Sequence, residues 1–149
     1  GVFRLEEAFG RGSQKLSQVW HFPYRQMLPS MRGIDDPNSR YYNRVIDAAR
    51  LPDHDWQSAE IMLRQDGVYD WGVVVRHNWK PYSAHGSCIF LHTWSGPQVG
   101  TSGCTAMSEN RMMALVRWLD RRRKPLLVQL PVKGYHELKD QWNLPGLTR

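Results

Sequence analysis

The sequence predicts a mainly β domain that carries helices, an α+β fold. Three observations lead there. Residues 69–77, YDWGVVVRH, and 86–94, GSCIFLHTW, are rich in β-branched and aromatic side chains and are bounded by turn formers, which reads as two strands. Residues 108–120, SENRMMALVRWLD, carry apolar Met112, Leu115, Val116 and Leu119 at i, i+3, i+4 and i+7, one face of a single substantial helix. Elsewhere apolar residues come in short runs separated by Pro, Gly and polar residues.

Taken in order, 19–56 shows little periodicity and reads as long loops and short strands, with a turn at Asp35-Asp36-Pro37-Asn38. Residues 57–63 read as a short helix or strand. Residues 78–85 link the two predicted strands as a hairpin-like connection. Ser108 is a good N-cap, with Glu109 in the first helical turn, and Pro125 ends the segment. LLVQLP is then a short strand and YHELKDQW a short helix or turn.

A chain of 149 residues with 41% apolar content and seven tryptophans has enough material for one domain with a core, here 1–149, and is not disordered in composition. No run approaches the roughly eighteen apolar residues of a membrane span. The start, GVFRLEEAFG, reads as the middle of a domain, so preceding strands are expected to be missing. The net charge of +6 favours anionic partners. Its one dense run, Arg121 to Lys124, reads as a solvated helix end, and no nucleic-acid motif is present.

The chemistry concentrates in 86–107, GSCIFLHTWSGPQVGTSGCTAM. His92 ends an apolar run, a Gly/Pro-bearing loop follows, and Cys104 sits in a Ser-Gly-Cys turn. A thiol attacks as thiolate, so it needs a base or a positive field. The loop can fold His92 onto Cys104. A helix directly after the cysteine would lower its pKa through the macrodipole, and turn amides at Ser102, Gly103 and Cys104 would form an oxyanion hole. Cys88, inside the apolar run, reads as a buried inert thiol. Both thiols are expected to be free.

His85, Cys88, His92 and Cys104 are zinc-competent types. On a continuous strand, however, His85 faces away from Cys88 and His92, and the latter two stand about 13 Å apart at roughly 3.3 Å per residue. No metal and no cofactor is expected. His77 either lines the cleft or hydrogen-bonds a loop. Tyr42 and Asn43, with Arg40 and Arg44, border a substrate groove or form a solvated basic face, since arginine matches carboxylates bidentately. Trp94 is a cleft wall or a core residue.

The 86–107 segment resembles the catalytic core of YkuD-type L,D-transpeptidases, whose pattern is a strand-ending histidine, a loop, then Ser/Thr-His-Gly-Cys. His92 in IFLH matches the base, and Thr101, Gly103 and Cys104 match the Ser/Thr, Gly and nucleophile. GVFRLEEAFG, DDPNSRYYNR, SAEIM, GVVVRHN and PLLVQLP extend the similarity over most of the chain. Ser102 stands where most members have histidine, Thr105 and Ala106 replace an apolar residue and Arg or Asn, and the His92–Cys104 interval is shorter than is common. The resemblance implies a β-sandwich or barrel-like catalytic domain in the bacterial periplasm or cell envelope. It implies acyl transfer between peptidoglycan stem peptides through a thioester, and carbapenems as acylating inhibitors. The same dyad would serve an L,D-carboxypeptidase, an endopeptidase or a secreted cell-wall toxin. A non-catalytic wall-binding module is the reading of another class.

Overall fold

The computed structural model describes residues 1–147 except 79, 81, 83 and 84. The described residues form two sheets with nine strands and two α-helices, so the fold is α+β and mainly β. Strand β1, Val2–Gly10, is the longest and is not among the elements that periodicity picks out. It runs through the larger sheet, of order β2-β1-β6-β7-β8, formed with β2 (Tyr24–Gln26), β6 (Trp71–Val75), β7 (Phe90–Thr93) and β8 (Thr105–Met107). β1 shifts register between Leu5 and Ala8. Its first residues pair with β9 (Leu126–Val128) and its last with β2. The smaller sheet, β4-β3-β5, contains β3 (Met31–Ile34), β4 (Arg44–Asp47) and β5 (Ala59–Ile61).

Alternation in the large sheet builds two apolar layers. Ala8, Val73, Val75 and Leu91 face one side, where α1 (Glu109–Trp118) covers them with Met112 and Val116, joined by Leu119 just past its end. Leu115 of the predicted helical face packs against this cluster while partly exposed. Phe9 and Phe90 face the other side and meet Met27, Met31, Met62, Tyr69 and Cys88. Gly72 is required here, because a Cβ on it would come within 2.3 Å of the Phe9 ring.

Several expectations need correction. The strand expected over 86–94 begins only at Phe90, because Cys88 has φ +53° and the Asn43 side chain takes its N–H at 2.9 Å. His85 and Cys88 therefore lie outside any strand, and the facing argument against a metal does not apply to them. Among the described residues no group of three His, Cys, Asp or Glu gathers closely enough to hold an ion. The strand expected over 69–77 narrows to Trp71–Val75. Residues 57–63 contain a strand, Ala59–Ile61, and no helix. The hairpin-like connection over 78–85 lies partly outside the described residues, although β6 and β7 do pair antiparallel.

The helix does not follow Cys104 directly, since the extended Thr105–Met107 strand, β8, intervenes. β8 pairs parallel with β7, so the backbone there is spent on the sheet. Ser108 caps α1 in position but makes no side-chain cap hydrogen bond, and α1 stops at Trp118, well short of Pro125. Short strands over 19–56, the turn before Ser39 (Ser39 N–H to Asp36 carbonyl, 3.1 Å) and strand β9 agree with expectation. YHELKDQW contributes to a second helix, α2 (Val132–Leu138). Among the described residues no helix is long and apolar enough to cross a membrane.

Candidate active site

Cys104 and His92 line one cleft of about 370 Å³, with Trp94, Thr101 and Ser102 in its wall. The route is topological. β7 carries His92 on the same face as Phe90, and the loop returns the chain so that β8 pairs beside β7, with His92 opposite Ala106. Cys104, one residue before β8, is thereby held against β7, where the Phe90 N–H donates to its Sγ at 3.3 Å. The Cys104 thiol donates in turn toward the Cys88 carbonyl at 3.6 Å.

His92 is buried, with 7% of its surface exposed. Its Nδ1–H donates to the Thr93 carbonyl at 2.7 Å, because a carbonyl can only accept. In the neutral ring Nε2 is then the lone-pair nitrogen, the tautomer a general base needs. The Tyr69 ring meets the imidazole edge-on at 5.3 Å between centroids. Tyr69 Oη donates to Glu60 at 2.6 Å. Arg64, paired with Asp66, lies 5.5 Å over the Tyr69 ring.

The electrostatics of the thiol differ from expectation. Burial pushes the Cys104 pKa above its ordinary value; the Phe90 amide acts to lower it and the Glu60 carboxylate raises it further. The helix dipole gives no relief, because β8 carries the chain roughly 10 Å before α1 begins and the dipole effect fades within the first turn. Burial thus favours the protonated thiol at Cys104. Cys88 is also a free thiol, and burial pushes its pKa up strongly.

The turn before Cys104 is held by Thr101, whose hydroxyl donates to the Cys104 carbonyl and accepts from the Gly103 N–H at 3.5 Å. Gly103, at φ +145°, adopts backbone that side-chain-bearing residues avoid. Its amide faces the Thr101 hydroxyl at this long distance. The Cys104 N–H has no protein acceptor among the described residues and remains able to hold an oxyanion.

Five predicted residues are not brought to this cleft. Tyr42, Asn43, Arg44 and His77 line a second, larger cleft of about 690 Å³. Asn43 holds backbone: Nδ2 donates to the carbonyls of His77 at 2.9 Å and Asn78 at 3.1 Å, while Oδ1 accepts from Cys88. His77 takes its loop role, with Nε2–H donating to the His85 carbonyl at 2.7 Å. Arg40 is tied to Asp53 at 2.9 Å and Asp55 at 3.6 Å. Glu60 and Tyr69 escaped sequence reasoning; Tyr69 opens the YDWGVVV run, but nothing in its spacing ties it to His92, 23 residues away in the numbering. Comparison with protein families, with curated proteins and with solved structures finds no match to this chain.

Proposed function

We propose that this domain is a cysteine acyltransferase acting on peptidoglycan stem peptides in the bacterial cell envelope, an L,D-transpeptidase of YkuD type. The observation that carries the reading is the shared cleft. A nucleophile-class thiol, Cys104, and a histidine with its Nδ1 engaged by Thr93 line one solvent-reaching space. The segments matching the family pattern, IFLH and TSGC, supply both residues.

In this scheme His92 Nε2 takes the Cys104 proton as sulfur attacks the peptide carbonyl. The tetrahedral oxyanion is met by the Cys104 N–H. Collapse forms the thioester, and the protonated imidazole gives its proton to the departing amine. An amine from a second stem then attacks the thioester, His92 accepts its proton, and the new amide leaves while the thiol regains the proton. No cofactor or metal takes part.

Mass spectrometry of purified muropeptides incubated with the protein tests this. Cross-linked products dependent on Cys104 are expected. Trimmed monomers alone would make the protein a hydrolase using the same pair, and unchanged muropeptides would overturn the acyl-transfer reading.

A further inference from the structure

The larger cleft shares a wall with the reactive thiol. Cys88 and Phe90 line it, and these two residues contact Cys104 Sγ through a carbonyl and an amide. The cleft therefore lies across one thickness of chain from the site of chemistry. At about 690 Å³ it is within the size range of ligand pockets and nearly twice the Cys104 cleft.

Its charges are not balanced. Glu7 pairs with Arg25 at 2.8 Å and Glu6 with Arg76 at 3.2 Å, so both carboxylates of the lining are already matched. Arg44 and Lys80, also in the lining, have no carboxylate partner among the described residues. Both are exposed. Val45, Ile46 and Val74 give the cleft an apolar side. Two cations in a lining that also carries apolar side chains suit an organic acid with a short side chain better than a bare inorganic ion, and a guanidinium can grip a carboxylate with two parallel hydrogen bonds.

The cleft is also built rather than incidental. Asn43, Asn78 and Cys88 all adopt left-handed backbone, at φ +62°, +49° and +53°, and the Asn43 side chain ties the three together. Such conformations persist where surrounding structure enforces them, and they cluster at ligand sites.

We infer that this second cleft binds the free carboxylate of a peptide through Arg44 and Lys80, anchoring one peptide substrate behind the Cys88–Phe90 wall. The inference rests on the acyl-transfer reading for the word substrate, but binding itself does not require turnover. The test uses the Cys104→Ala protein and two probes, N-acetyl-Glu-Ala and its bis-amide, with amide chemical shifts followed by NMR and affinity by titration. The expected result is millimolar binding of the diacid, with shifts at Asn43, His77 and Ile89. The bis-amide should bind at least tenfold more weakly, as should the diacid to Arg44→Glu and Lys80→Glu, which sit on the surface and leave the core untouched. Equal binding of diacid and bis-amide would overturn the inference. So would unchanged affinity in both charge reversals, shifts confined to Tyr69 and His92, or inorganic phosphate displacing the diacid at equal concentration. Cross-linking of muropeptides by wild-type protein alongside any of these would leave the acyltransferase standing and remove only the carboxylate site.

Discussion

Asn43→Ala removes the one side chain that joins three left-handed backbone positions. It deletes hydrogen bonds to the Cys88 N–H at 2.9 Å and to the carbonyls of His77 at 2.9 Å and Asn78 at 3.1 Å. Each is worth about 1 kcal/mol net. Alanine at φ +62° adds about 1 kcal/mol, since it lacks the local hydrogen bonding that lets asparagine tolerate that region. Water can reach part of this half-exposed site, so a total loss of about 2–4 kcal/mol is expected, a large share of an ordinary domain's stability. Urea unfolding measures it. Asn43→Gly, which occupies the left-handed region without strain, should recover about 1 kcal/mol of the loss. There is a chemical consequence as well. The Cys88 carbonyl receives the Cys104 thiol, so freeing Cys88 should change the iodoacetamide rate of Cys104 in molecules that remain folded. A stability loss below about 0.5 kcal/mol, or an unchanged alkylation rate per folded molecule, would refute the account of Asn43 as the tie that positions this wall.

Other expectations follow from the site. Cys104→Ala should abolish turnover and leave the fold intact, whereas Cys88→Ser should retain most activity with a modest stability loss, because a hydroxyl replaces a thiol 4% exposed in an apolar cluster; the reverse pattern in a muropeptide assay would overturn the assignment. The pH profile of Cys104 alkylation should rise above the free-cysteine value of about 8.5, and Glu60→Gln should move it downward by removing a carboxylate that favours the protonated thiol; a midpoint below the free value would contradict the electrostatics. Because folding raises the pKa of both cysteines, the folded chain holds those protons more tightly than the unfolded chain. That contribution to stability is complete below the unfolded cysteine pKa and is lost as pH rises past it, which unfolding at pH 8 and pH 10 would reveal. If the acyltransferase reading is right, a carbapenem should leave an adduct on Cys104 in intact-mass spectra, slower in His92→Ala, and no adduct at any pH would count against it.

What could be read from the residues alone was what is local and repeats. The helical face of Met112, Val116 and Leu119 is buried against the sheet because side chains three and four apart share a side whatever surrounds them. The strand character around 71–75 and 90–93 shows in β-branched and aromatic runs, and the short loop from His92 to Cys104 is why a sequence could suggest that both line one cleft. Tertiary structure alone decided the rest. Strand β1 alternates in burial only over its first six residues, because its register shifts between Leu5 and Ala8 and Ala8, Phe9 and Gly10 are then all buried. The end of a strand at Cys88 depends on a side chain 45 positions earlier, Asn43, and no window of sequence contains both. The pKa of Cys104 was misjudged for the same reason. A nearby helix could be seen in the sequence, but burial and the carboxylate of Glu60 come from elements that meet the thiol only after the two sheets have packed.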